Sequence, residues 1–340
     1  MMPRRVLRVL LGPAVLVVII LVVGPEPIIE AVTSASPARV ALAMIIGAAT
    51  TAAVAARWVL CCRALRLPLR LGQAYPACYQ AQLLNALLPA GVLGDAARAV
   101  GHGRRAGIGP AARAVFWERA SGQLTLLAVT GVVVLVWPRL IGPDRPTEVR
   151  AACLVIMVAL AAAGFWVRRE GAAAAACSAG GWRGRVGVLL ADVRTTLISR
   201  TGLAMAGLSL IALAGYLATF LVAASAIPAA GGRTGQLIAL GLITLVAMAV
   251  PFNVGGFGPR EAGAALALAA AGLGAGTGVA VAALYGLLSL AAALPGAIPL
   301  VINLLRGRAA DRGPSGSASR AGTPGSPGAE TSGSEPARRS

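Results

Sequence analysis

Three carboxylates stand beside or inside apolar stretches of the chain, and each has an arginine close by: Asp95 with Arg98, Glu118 with Arg119, and Glu261 with Arg260. An ionisable group at membrane depth costs about 3 kcal/mol or more, so it turns toward a bundle interior and takes a partner. Acid–guanidinium pairs in such surroundings suit an anionic group. The arginines supply charge and forked donors for a phosphate, while the acids hold them and limit the excess positive charge.

Two of the pairs follow breaks in apolar runs. In the block from Asn85 to Arg98, Pro89 ends a helix, and Gly91 and Gly94 allow a tight turn. Asp95 is expected to cap the next helix, with Arg98 one turn further on the same face. Free N–H groups at that helix start would join Arg98 in a phosphate cradle; an ordinary turn with a surface ion pair is the alternative. The block from Pro251 to Glu261 has the same grammar. A proline is followed by Asn253, Gly255, Gly256 and Gly258, and the Arg260–Glu261 pair then opens another apolar helix. Two such breaks, one in each half, are the pattern of a transporter with internally repeated halves. The third pair falls early in an apolar helix, where Glu118 either snorkels to the interface with Arg119 or points inward to meet Arg98 or Arg260. Tyr75, Tyr79 and Gln82 share one helical face and are read as interfacial anchors rather than a binding box.

The elements that must position these residues are membrane helices. The chain of 340 residues is 57% hydrophobic and 12% charged, with a mean hydropathy of +0.79, the composition of a polytopic membrane protein. All 30 of its Lys+Arg positions are arginine, which excludes a P-loop, a Schiff-base lysine and a kinase-type ATP lysine. The single histidine, His102, argues against a His-based metal site, so no cofactor or metal is expected. The net charge of +18 falls largely between apolar runs, where arginines set orientation and meet anionic headgroups. Aromatics at 4% are too few for base stacking, and nucleic acid is not an expected partner. The five cysteines lack CxxC spacing and are read as small hydrophobes.

Spans of about 20 apolar residues are predicted over 8–24, 38–60, 114–137, 149–167, 201–227, 234–251 and 278–304, with a shorter one over 262–276. The first is read as a retained helix in preference to a signal peptide. Gly272, Gly274, Gly276 and Gly278 mark a break or tight turn. The stretch 73–93 is read as a re-entrant or broken hairpin. Only then do the arginines of 98–113 and 168–200 share a side with Arg4, Arg5 and Arg8, and with Arg57, Arg63, Arg66 and Arg70. The predicted fold is therefore all-α: a polytopic membrane helix bundle of about eight transmembrane helices plus that hairpin, with an internal repeat. It sits in the cytoplasmic membrane with both termini cytoplasmic. Residues 1–306 form the membrane domain and 307–340 a disordered Gly/Ser/Pro/Arg-rich tail. The linker 168–200 is read as an interfacial amphipathic helix or a solvated loop.

Both proline–glycine blocks and the Glu118–Arg119 pair resemble the signature of flippase-like integral membrane proteins. These are related to the transmembrane flippase domain of lysylphosphatidylglycerol synthases and to archaeal and hopanoid-pathway relatives. The resemblance covers roughly residues 5–305, and Pro251 to Glu261 is its closer match. In the first block Leu93 stands where the family often has another glycine. The resemblance implies lipid translocation or support of modified-lipid synthesis. No soluble aminoacyltransferase domain follows residue 306, so charging of phosphatidylglycerol by this chain is not implied.

The leading expectation is a flippase-like transporter moving an anionic phospholipid or a polyprenyl-phosphate type of intermediate, without enzymatic chemistry. Asn85, Asp95, Arg98, Glu118, Arg119, Asn253, Arg260 and Glu261 would surround the headgroup. Pro89, Gly91, Gly94, Pro251, Gly255, Gly256 and Gly258 would shape the backbone. The alternatives are a membrane-embedded lipid-modifying transferase with one acid as general base, and a non-catalytic subunit partnering a lipid- or cell-envelope-biosynthesis enzyme.

Overall fold

Backbone N–H and C=O groups cannot stay unpaired in hydrocarbon, so long apolar stretches fold as helices that satisfy their own hydrogen bonds. The computed structural model consists of helices joined by short turns in the residues it describes: 25–88, 92–137, 182–231, 234–248 and 259–302, with isolated positions between 147 and 162 and Leu305. In chain order the helices are α1 (Glu26–Thr33), α2 (Pro37–Ala64), α3 (Leu71–Leu87), α4 (Leu93–Ala106) and α5 (Ile108–Val136). They continue as α6 (Trp182–Thr196), α7 (Arg200–Ala226), α8 (Thr234–Met248), α9 (Pro259–Ala270) and α10 (Ala275–Ala293). A 3-10 turn, Leu294–Gly296, carries α10 on to Ile302. The predicted span 8–24, most of 149–167 and the tail 307–340 lie outside the described residues. So do Pro89, Gly91, Pro251, Asn253, Gly255, Gly256 and Gly258.

Among the described residues, α2, α5, α7 and the extended α10 are long and apolar enough to cross a membrane, and α8 is apolar but only 15 residues long. The start of α5 lies six residues before the predicted 114, because the turn falls at Gly107, whose φ of +87° is a glycine conformation. The linker is not a plain loop over 182–196: α6 forms there and buries Asp192.

The broken hairpin extends beyond 73–93. It is the pair α3 and α4, and it runs antiparallel. Asn85 Nδ2 donates to Asp95 Oδ2 at 3.2 Å, and Arg98 Nη1 donates to Cys78 Sγ at 3.2 Å. Between these rungs Gly94 lies against the Ala81 backbone so closely that a Cβ would fall on the Ala81 carbonyl oxygen. A second helix pair, α8 and α9, packs where Gly263 meets Ala247. The predicted span 262–276 is displaced. Its helix is Pro259–Ala270, and the turn uses Gly272 (φ +79°) and Gly274 (φ +88°). Gly276 and Gly278 lie inside α10, where Gly278 admits the Ala264–Ala265 backbone.

The order span, broken hairpin, span therefore occurs twice, as α2–α3/α4–α5 and as α7–α8/α9–α10. The leading spans of the two halves run antiparallel: Thr50 packs on Gly215, and Arg57 donates to Ser209 seven residues further along α2 but six earlier along α7. This order of elements, with antiparallel leading spans, is the pattern of an inverted repeat. Two apolar clusters build the core, one around Phe220, Leu240, Leu268 and Leu288, the other around Trp58, Cys61, Cys62 and Met205. Cys61, Cys62 and Cys78 are free and buried within this packing.

Candidate functional site

Glu118 lies ten residues into α5, about 15 Å along the axis at 1.5 Å per residue. It is 1% exposed and does not snorkel. Its Oε1 accepts from Arg57 Nε at 3.0 Å and also from Arg57 Nη2, and its Oε2 accepts from Arg98 Nη2 at 2.7 Å. One carboxylate therefore ties α2 and α4 to α5. Glu118 does not pair with Arg119, its neighbour in sequence, because adjacent residues on a helix point about 100° apart. Arg119 reaches instead to Asp95 on α4.

Asp95 does not cap α4. The N-cap is Val92, without a side-chain cap bond, and Asp95 sits in the first turn, where a negative charge favours the helix start. Its oxygens take Arg98 Nη2 at 2.9 Å, Arg119, and the Asn85 amide. Asn85 Oδ1 accepts the Gly94 N–H at 2.7 Å, doing the capping work one residue earlier. Arg98 is buried, and its guanidinium stacks 4.6 Å from the centroid of the Trp58 ring.

Arg57 is the residue that sequence reasoning missed. Grouped with the loop cations Arg63, Arg66 and Arg70, it is instead 7% exposed in the bundle, donating to Glu118 and, at 2.9 Å, to Ser209 on α7. The signal was present: position 57 lies inside the apolar run 38–60, and a cation there needs a partner as much as an acid does. Gly122 makes room for it, since a Cβ there would stand 2.8 Å from Arg57 Nη1. Tyr75 and Tyr79 also face inward rather than anchoring at an interface. Tyr75 donates to the Ala48 carbonyl, Tyr79 is buried, and Gln82 accepts from Thr51.

These side chains surround a cavity of about 280 Å³, near the lower end of small-ligand sites. Arg57, Arg98, Arg119, Asp95, Glu118, Asn85 and Gln82 supply its polar wall; Leu126, Leu213, Leu245 and Met248 supply its apolar one. Among the described residues, three guanidiniums face two carboxylates here, leaving one positive charge in excess. Gln123 also lines the cavity, and its buried Oε1, like Arg98 Nε, has no hydrogen-bond partner among the described residues.

Arg260 and Glu261 are not part of this wall. They form their own buried pair at the start of α9, with Arg260 donating to Glu261 and its guanidinium seated over Gly286 and 6.0 Å from the Tyr285 ring centroid. Tyr285 lines the cavity and so stands between the two groups. The structure thus brings together Asn85, Asp95, Arg98, Glu118 and Arg119, and keeps Arg260 and Glu261 one ring away.

Neither the curated proteins nor the solved structures contain a match to this chain. The profile of the lysylphosphatidylglycerol synthase TM region matches residues 6–296, which includes every helix of the bundle and all of the charged cluster. A membrane bundle of inverted halves with arginines buried around a cavity, matched over most of its length, belongs to the lysylphosphatidylglycerol synthase transmembrane-region family.

Proposed function

We propose that this protein moves a phosphate-bearing lipid, a phospholipid or a lipid-linked intermediate, across the cytoplasmic membrane. The observation that carries the reading is the single excess positive charge in the cavity wall. Three guanidiniums share two carboxylates, and an anionic headgroup supplies the further counter-charge with charge-assisted hydrogen bonds. Family membership supports a role in lipid processing. Arg98 and Arg119 would hold the phosphate, with Glu118 keeping the Arg98 guanidinium in place. Arg260 would receive the headgroup next, across Tyr285, as the inverted halves exchange exposure. Acyl chains stay in the hydrocarbon throughout, so only the headgroup needs a polar path. The positive-inside bias of the arginines supports a cytoplasmic position for both termini.

The test is translocation in reconstituted vesicles, with a headgroup-labelled phospholipid scored by its protection from an external quencher. The native protein moves lipid and returns it chemically unchanged. Arg119→Gln and Arg260→Ala slow the movement by about tenfold or more, the expected loss of one charge-assisted contact. Equal movement in all three proteins overturns the assignment.

A further inference from the structure

Of the residues that line the cavity, Arg119 and Tyr216 are the most exposed. They belong to α5 and α7, neighbouring spans that start at the same end of the molecule. Asp192, just before α7, forms a salt bridge with Arg113, 2.9 Å from its Nε, and accepts from Trp117 Nε1 at 3.2 Å, both in the first turns of α5. Arg119 stands about 16 Å from the start of α5 and Tyr216 about 24 Å from the start of α7. With each helix centred on a hydrocarbon core of about 30 Å, both fall within it, one on each side of the midplane. The most exposed part of the cavity lining thus falls between α5 and α7, at hydrocarbon depth.

Arg119 is unusual at that depth. Its side chain is 45% exposed, whereas Arg57 and Arg98 are closed in by the bundle. Its salt bridge is to Asp95, on the hairpin that forms the opposite wall. Two ionic links thus join α4 to α5, and they differ in kind. Arg98–Glu118 is sealed, with both side chains at 3% exposure or less. Asp95–Arg119 lies at the edge of the cavity, where an incoming anion can reach it.

We infer that the space between α5 and α7 is a lateral portal for one lipid, and that Asp95–Arg119 is its latch, opened when a lipid phosphate takes the place of the Asp95 carboxylate on Arg119. The Arg57–Glu118–Arg98 bridge stays closed as the anchor about which the hairpin moves. No bond is made or broken; one anion replaces another on the guanidinium. This rests on the transport reading, yet it is tested without measuring transport.

Cys78 supplies the reporter. It lines the cavity, is 2% exposed, and sits 3.2 Å from Arg98. Cys61, buried with its thiol donating to the Ala114 carbonyl at 3.3 Å, lines no part of the cavity and serves as the control. The full chain in lipid nanodiscs is treated with N-ethylmaleimide, and each cysteine is followed by peptide mass spectrometry. Asp95→Asn and Arg119→Gln speed modification of Cys78 by about tenfold and leave Cys61 slow, as local opening requires. Arg119→Lys stays close to the native rate. In the native chain, phosphatidylglycerol nanodiscs give severalfold faster Cys78 modification than nanodiscs of a phosphate-free galactolipid, and Arg119→Gln abolishes that difference. Native rates in both unlatched variants, equal rates in the two bilayers, or a matching rise at Cys61 overturns the latch. A responsive Cys78 without lipid translocation would remove the transport reading and keep the latch; translocation with an unresponsive Cys78 would do the reverse.

Discussion

The two broken hairpins share a plan and differ in wiring. Each places an arginine nine residues after a proline, Arg98 after Pro89 and Arg260 after Pro251. In the first hairpin the charges reach across helices: Asp95 and Arg98 on α4 connect to Arg119 and Glu118 on α5, and through Glu118 to Arg57 on α2. In the second, the arginine pairs with the residue beside it and rests on a glycine of the next span, Gly286. The first arrangement makes a charged wall around a cavity, and its integrity depends on one shared carboxylate. The second makes a compact pair behind an aromatic ring. Two halves with the same order of elements can thus place unlike chemistry at related positions.

Removing the shared carboxylate should break the comparison most severely. Glu118→Gln leaves Arg57 buried without its counter-charge and Arg98 with Asp95 alone, a loss of about 3–5 kcal/mol for a buried pair. A large drop in the thermal unfolding midpoint in detergent is expected; an unchanged midpoint would show that the network does not hold α2, α4 and α5 together. The glycines sharpen the contrast next. Gly94→Ala drives a Cβ into the Ala81 carbonyl, which is backbone and cannot yield, so about 1–3 kcal/mol of stability is lost to overpacking. Gly286→Ala meets only the end of the Arg260 side chain, which can swing away. It should lower the unfolding midpoint less than Gly94→Ala does, because a side chain can move where backbone cannot, while lowering lipid movement through a displaced guanidinium. Equal destabilisation by the two substitutions would erase the distinction between backbone and side-chain seats.

The smallest effect is expected outside both hairpins. Asp192→Asn weakens the tie between α6 and α5, and because Arg113 is partly exposed the loss is about 1 kcal/mol or less. Hydrogen exchange should rise over 182–196 while the amides around Glu118 stay protected. Faster exchange around Glu118 would mean that α6 supports the cluster directly.

Composition and spacing by themselves determined that the chain is an all-helical membrane protein, where α2, α7 and α8 begin, and that Asp95, Arg98, Glu118, Arg260 and Glu261 are charges in need of partners, while leaving open whether Asp95, Arg98 and Glu118 lie at the surface or inside. Each of these follows from local physics: apolar length, the conformations allowed to proline and glycine, and the cost of charge in hydrocarbon. The partners were decided only by tertiary packing. Neighbours in sequence suggested Glu118–Arg119, but a helix turns adjacent side chains apart, so Glu118 met Arg57 from sixty-one positions away and Arg119 met Asp95. Arg57 looked like a loop cation until α5 and α7 closed around it, with Gly122 and Ser209 giving it space and a hydrogen bond. Which charge neutralises which depends on distances between helices, and a one-dimensional pattern contains no such distances.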